Sequence, residues 1–122
     1  MKLKILSWNI WCGIHLDKVI DFLKSADADV IALQEVIENE RGNIAAVIAD
    51  ALGHKYVSEI ETEMTFPPMP LRAQGKIVKY GNAILSKRDI VSSKVHALSS
   101  LKRRVALQAD IRTDDNDAIR IF

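Results

Sequence analysis

Cysteine is almost absent from this sequence of 122 residues: Cys12 stands alone, so no disulfide can form within the chain. A lone thiol is typical of a reducing compartment, and we predict a cytoplasmic protein. The sequence has no apolar run long enough to span a membrane, and the apolar stretch Met1–Trp11 is too short for a signal peptide. It also has no internal repeat or low-complexity tract, which excludes the repeat architectures.

The chain also has no large net charge of either sign. The chain carries 17 basic and 16 acidic residues, so its net charge of +1 creates no overall field toward nucleic acid or an anionic membrane. Its densest basic spots are Lys87–Arg88 and Lys102–Arg104. Hydrophobic residues make up 48% and charged residues 27% of the chain, which is typical of one globular domain with a real core.

The first part of the chain alternates between strand and helix patterns. A short apolar run predicts a strand over Leu3–Trp8, and a turn follows over Asn9–His15. Apolar residues spaced at i, i+3, i+4 and i+7 then predict a helix from Leu16 to about Ala26. The continuous apolar run Val30–Leu33 predicts a strand that is buried on both faces and lies parallel to the first.

A second helix is predicted over Ile44–Leu52, with Gly53 as its stop. After it the pattern changes to strands and loops, because three prolines predict a loop over Thr65–Gly75 and the later apolar runs are short or alternating. Strands are predicted over Tyr56–Ile60, Ile77–Leu85, Ile90–Leu98, Val105–Ile111 and Ala118–Phe122. This order of elements indicates an α+β fold built in layers, α/β/β/α.

Two polar residues, Asn9 and Glu35, each follow a predicted buried strand. Because the ends of parallel strands meet at one sheet edge, we expect Asn9 and Glu35 together where open α/β sheets bind ligands. A carboxylate at such a rim costs free energy unless it is paired or bound to a cation, and amide and carboxylate oxygens suit Mg²⁺ or Mn²⁺. The spacing alone also fits a turn-forming asparagine and a solvated acid, so both interpretations stay open at this point.

Four short motifs in order resemble those of the endonuclease/exonuclease/phosphatase superfamily. The segments Ser7–Ile10 and Leu33–Val36 are similar to its opening pair of motifs. Tyr80–Ser86 resembles its third motif, a glycine-led strand that ends in serine, and Arg104–Leu107 resembles the Arg-x-Ala-Leu strand that follows. Each motif is weak alone, and it is the ordered set with the expected elements between its members that carries the resemblance.

The resemblance implies a four-layer α/β/β/α sandwich, of which residues 1–122 would be roughly the N-terminal half of one domain, truncated at its C-terminal end. It also implies hydrolysis of phosphodiesters or phosphomonoesters with Mg²⁺ or Mn²⁺. Glu35 would bind the metal, and Asn9 would help to hold the metal site and the scissile phosphate. Arg104 and Asn82 would contact the substrate phosphate, although Asn82 also fits a buried supporting amide.

The later family motifs, Asn-Thr-His, Gly-Asp-Phe-Asn and Ser-Asp-His, have no counterpart in this sequence. Their residues position and deprotonate the attacking water in the intact family, so we predict that the chain alone is inactive. Half of a sandwich would leave open sheet edges, which predicts self-association. The substrate stays open among nucleic acid, a lipid head group and a nucleotide-like diester. The alternative function is a non-catalytic interaction module or remnant that keeps the first half of the fold.

Other side chains that could carry chemistry do not form a rival site. The motif spacing does not decide whether Arg103 or Arg104 faces the phosphate. His15 lies near Asn9 but matches no family position, and we interpret it as a helix-start or surface histidine. The two remaining histidines do not replace the missing motifs, and Cys12, with no activating partner in view, is interpreted as a packing residue.

Overall fold

A computed structural model of the chain describes residues 1–64, 68, 71, 75, 77–99 and 104–122. Within these residues there are two α-helices, α1 (Leu16–Ala26) and α2 (Ile44–Leu52). The strands are β1 (Ile5–Asn9), β2 (Val30–Asn39), β3 (Gly42–Asn43), β4 (Lys55–Glu63), β5 (Lys79–Ser86), β6 (Ile90–Ser99), β7 (Arg104–Arg112) and β8 (Ala118–Ile121). The loop predicted over Thr65–Gly75 lies for the most part outside the described residues.

The larger sheet has the strand order β1-β2-β5-β4, and the short β3 pairs with the far end of β2. β1 and β2 are parallel, as predicted, and Asn9, the last residue of β1, lies opposite Gln34 of β2. A parallel pair needs a crossover, and α1 supplies it. β5 runs antiparallel to both of its neighbours, so the sheet is mixed.

Both helices cover one face of this sheet. The apolar stripe of α1, which includes Val19 and Leu23, packs with Ile48 of α2 on Ile31 and Leu33 of β2. We call this group the helix-side core. Because alternate residues of a buried strand point to opposite faces, Val30 lies on the other face of β2, away from the helices.

The smaller sheet, with the order β6-β7-β8, packs on that other face. Leu107, Ala109 and Ile111 of β7 meet Val30 and Ile84 of the larger sheet in a second apolar cluster, the inter-sheet core. The described residues therefore form three layers, helices, sheet and sheet, and the α+β class and layered architecture predicted from the sequence are confirmed.

Local signals place the helix ends where the sequence predicted them. Gly53 adopts a left-handed φ of 68° after α2, and its N–H donates to carbonyls in the last turn. The side chain of Asn43 begins α2 by accepting a hydrogen bond from the Ala45 N–H at 2.9 Å. His54, just past α2, has its ring nitrogens 3.1 Å and 3.3 Å from the carbonyls of Leu52 and Ala28, so it joins the helix end to the sheet.

One predicted boundary is wrong in a way that affects the site. β2 does not end at Leu33 but continues to Asn39, because pairing with β5 and then with β3 extends it. Glu35 therefore lies inside a strand and not beyond its end, whereas Asn9 is the last residue of β1. Among the described residues, no helix is both long and apolar enough to cross a membrane.

Candidate metal and phosphate site

Glu35 stands out of the regular strand pattern of β2. The pairing of β2 with β5 shifts register between Gln34 and Val36, and Glu35 is the extra residue of this bulge, with a left-handed φ of 54°. Such a conformation costs a non-glycine residue about 1–2 kcal/mol. Strain of this kind persists where the surrounding structure holds it in place, which is frequent at functional sites.

The bulge has a clear packing consequence. Leu33 and Val36 both belong to the helix-side core, although regular alternation would place residues three apart on opposite faces. Without the extra residue, position 35 would point into that apolar core, where a carboxylate would be costly. The bulge therefore keeps the core apolar and leaves Glu35 half-buried at the edge of the sheet.

Among the residues that the structure describes, none makes an ion pair or a hydrogen bond with the carboxylate of Glu35. Its negative charge interacts electrostatically with the neighbouring thiol of Cys12. Burial, and secondarily the charge of Glu35, raises the pKa of Cys12 to about 11. The thiol therefore stays protonated at neutral pH, which confirms that Cys12 is a packing residue and not an activated nucleophile.

Asn9 is brought beside this bulge by the parallel register of β1 and β2. The loop that follows Asn9 is bound to the bulge, because the Ile10 N–H donates to the Gln34 carbonyl at 3.1 Å. The side-chain oxygen Oδ1 of Asn9 accepts a hydrogen bond from the Trp11 N–H at 3.0 Å, which fixes the direction of the amide. An amide oxygen has a second lone pair that can still bind a cation.

Asn82 sits at the centre of β5, opposite Gln34 of β2 and Glu59 of β4. It is half-buried and lines a cleft of about 250 Å³ between the two sheets, which we call the inter-sheet cleft. Gln34 also lines this cleft, and its amide Nε2 donates to the Ser7 hydroxyl at 3.2 Å. Polar groups of β1, β2 and β5 thus gather at one end of the sandwich.

Arg104 is the first residue of β7 and is exposed. Its neighbour Val105 lines the inter-sheet cleft, so Arg104 lies at the same end of the sandwich as Asn82. Strand alternation directs the Arg104 side chain to the opposite face from Val105, so the backbone does not aim it into the cleft. Arg103, the alternative candidate, lies outside the described residues.

The residues present fit a divalent cation. The half-buried Glu35 carboxylate, which has no cation partner among the described residues, and the oriented Asn9 amide oxygen are both hard-oxygen donors. Mg²⁺ takes few protein ligands and completes its shell with water and substrate. No cluster of three or more acidic, histidine or cysteine side chains suited to a metal occurs in the part of the chain that the structure describes. The candidate site is therefore a two-residue half-site, not a closed metal cage.

Comparison with known proteins decides the family. The family model described as Endonuclease/Exonuclease/phosphatase family matches residues 6–121, nearly the whole chain. The chain belongs to the endonuclease/exonuclease/phosphatase family. The resemblance carried by the four motifs is thereby confirmed. No curated protein matches the chain closely enough to serve as a relative.

Solved structures of the endonuclease/exonuclease/phosphatase family share the fold. A member from Beutenbergia cavernae matches with a TM-score of 0.72 at 18% identity, over 97% of this chain and 36% of its own. ANGEL2, a 2',3'-cyclic phosphatase in complex with adenosine-2',3'-vanadate, matches with a TM-score of 0.69 at 19% identity, over 97% of this chain and 39% of its own. TDP2 from D. rerio, complexed with a single strand DNA product, matches with a TM-score of 0.64 at 16% identity, over 97% of this chain and 43% of its own. The chain thus spans less than half the length of each.

Two features of the candidate site were missed by sequence reasoning. The bulge at Glu35 has no local sequence signal, because it depends on the register between β2 and β5. Gly81, however, did offer a signal: a glycine inside a strand often marks a close approach of another backbone. A Cβ built on Gly81 would lie 1.6 Å from the Glu59 carbonyl oxygen, where β4 also bulges.

Proposed function

We propose that this chain carries the metal-binding half of a divalent-metal-dependent phosphoesterase. The observation that supports it best is Glu35, a half-buried carboxylate in a strained bulge beside Asn9, without a cation partner among the described residues. In this proposal the Glu35 carboxylate and the Asn9 amide oxygen hold Mg²⁺ or Mn²⁺. When bound, such a cation polarises a phosphoryl oxygen and stabilises charge on the leaving oxygen.

The remaining candidates act on the substrate in this proposal. The Asn82 amide, at the rim of the inter-sheet cleft, donates a hydrogen bond to a phosphate oxygen, and Arg104 supplies positive charge from the start of β7. The histidine and Asp-Asn motifs that activate water in the family have no counterpart here, so we expect metal binding without turnover from this chain alone. The cytoplasmic location, deduced from the lone thiol, stays a prediction.

Metal titration with matched variants tests the proposal. We expect the chain to bind Mn²⁺ at about millimolar concentration by calorimetry, and Glu35→Gln to weaken this binding about tenfold or more, because the neutral amide keeps the shape but loses the charge. Glu38→Gln is the control, since Glu38 is an exposed acid on the same strand.

Equal affinity in the wild type, Glu35→Gln and Glu38→Gln would contradict the half-site and favour a non-catalytic module. Hydrolysis of bis(p-nitrophenyl) phosphate is followed in the same samples. Rapid Mg²⁺-dependent release of nitrophenol by the wild-type chain would show that the expected inactivity is wrong.

A further inference from the structure

Trp11 has an unusual position beside the candidate site. It is 53% exposed, although the residues on either side of it in the chain, Ile10 and Cys12, are both buried in the helix-side core. An indole with about half of its surface in water forgoes roughly 1–2 kcal/mol of burial free energy. The fold therefore anchors this loop on both sides of Trp11 while it holds the ring outside.

The backbone achieves this through a left-handed turn. Trp11, Cys12 and Gly13 adopt consecutive φ values of 49°, 59° and 66°, and the Gly13 N–H donates to the Ile10 carbonyl at 3.0 Å. Left-handed conformations cost non-glycine residues about 1–2 kcal/mol each. Two such residues in succession, next to the strained Glu35, concentrate backbone strain at one end of the sandwich.

The same turn is bonded to both parts of the half-site. The Trp11 N–H donates to Asn9 Oδ1 at 3.0 Å, and the Ile10 N–H donates to the Gln34 carbonyl directly before Glu35. The Trp11 ring is further supported by the His15 ring, with centroids 6.2 Å apart and an interplanar angle of 41°. The exposed Trp11 ring thus lies on the hydrogen-bonded segment that orients Asn9.

We infer that Trp11 is a stacking platform for the base of a nucleotide whose phosphate occupies the Asn9–Glu35 half-site. This inference rests on the proposed function and specifies its substrate class as a phosphate ester that carries a nucleobase, such as single-stranded nucleic acid. A single aromatic ring beside a phosphate site matches a base tethered to its phosphate, and base stacking contributes about 1–3 kcal/mol.

A lipid surface fits the same observations less well. Interfacial lipid binding uses several apolar side chains side by side together with cations. Among the described residues, the ring that Trp11 contacts is the polar imidazole of His15, and the charged Asp17 follows two residues later in the first turn of α1. One ring on a fixed turn therefore favours a planar base over an acyl chain.

The test measures fluorescence anisotropy of two labelled strands of equal length in Mg²⁺, one of oligodeoxyadenylate and one of abasic deoxyribose phosphate. The two strands carry the same phosphates, so their difference in affinity isolates the bases. We expect the 122-residue chain to bind the adenylate strand about 5- to 100-fold more tightly. Trp11→Ala should abolish this preference, and Trp11→Phe should keep most of it.

Phe22→Leu is the matched control, because Phe22 is 52% exposed but lies on α1 against Trp8. It should bind both strands as the wild type does. The inference is overturned if the wild type binds the two strands with equal affinity, or if Trp11→Ala keeps the preference for the adenylate strand or lowers the affinity for both strands equally. It is also overturned if phosphatidylcholine–phosphatidylserine vesicles compete with the strand in a way that depends on Trp11. Metal titration of the wild type and Glu35→Gln in the absence of DNA tests the half-site alone. It therefore distinguishes a failure of metal binding at Glu35 from a failure of base stacking on Trp11.

Discussion

At the scale of single residues, a bidentate ion pair lies on the outer face of the smaller sheet. The Arg120 guanidinium donates to both oxygens of Asp110 at 2.8 Å and 3.1 Å, and the Ser92 hydroxyl donates to the same carboxylate at 2.7 Å. Hydrogen bonding to Arg120, then to Ser92, lowers the pKa of Asp110 from 3.8 to about 2. These contacts join β6, β7 and β8 across their outer face.

Asp110 predicts a specific acid dependence of stability. Because its pKa is lower in the folded chain, its contribution is complete above pH about 4 and is lost as the pH falls toward 2. We expect the urea midpoint of the wild type to fall over this window, and that of Asp110→Asn to fall less. Asp115→Asn, in the exposed turn before β8, should follow the wild type. Superposable profiles for Asp110→Asn and the wild type would contradict the assignment.

At the scale of elements, β5 lies between two strands, β2 and β4, that both contain a bulge. β2 bulges at Glu35, and the pairing of β4 with β5 shifts register between Glu59 and Thr62. Both irregularities flank the segment Gly81–Asn82, which shows why the motif has a glycine directly before the asparagine. The glycine lets the β4 backbone approach, and the asparagine then faces the inter-sheet cleft.

Gly81→Ala should therefore be strongly destabilising. The added Cβ would overlap the Glu59 carbonyl, and only a shift of the β4 backbone could relieve it, so we expect a loss of about 3 kcal/mol or more in the free energy of unfolding. Gly53→Ala is the control, because nothing lies within 4 Å of its Cβ and only its left-handed φ of 68° opposes the change, at about 1–2 kcal/mol. Urea denaturation measures both, and equal losses would show that the close approach is not rigid.

At the scale of the whole molecule, the described part of the chain exposes apolar side chains on the smaller sheet. Val95 lies opposite Leu107, on the side of β6 that faces the larger sheet, yet it is 41% exposed, and Leu98 is 67% exposed. In the described residues β6 pairs only with β7, so its other edge offers unpaired backbone groups. Such an edge favours pairing with a second chain.

We propose that the 122-residue chain self-associates through this edge. Sedimentation velocity at about 10 µM should show dimers or larger species, and Val95→Lys should shift the distribution toward the monomer, because a charge on this face opposes strand pairing. Lys94→Gln, on the opposite face of the same strand, should leave the distribution unchanged. A wild type that sediments as one monomeric species would contradict the proposal.

The sequence alone determined much of the fold. The period of the apolar residues predicted α1, α2 and the main strands, because burial of one face depends on local spacing. Gly53 predicted the end of α2 for an equally local reason, the freedom of glycine to adopt a left-handed φ. The four motifs indicated the family and named Asn9 and Glu35, whose roles in metal binding stay predictions.

Only the tertiary structure decided how the site is built. Whether Glu35 points into the apolar core or out at the sheet edge depends on the register of β2 against β5, whose residues are about 50 positions apart in the chain. The left-handed turn that exposes Trp11 exists because burial on both sides and the hydrogen bonds that its N–H groups donate to Asn9 and Gln34 stabilise it together. The sequence predicted a turn over Asn9–His15, but neither the bulge at Glu35 nor the exposure of the Trp11 ring has a local signal, since strained conformations are selected by long-range packing and not by intrinsic preference.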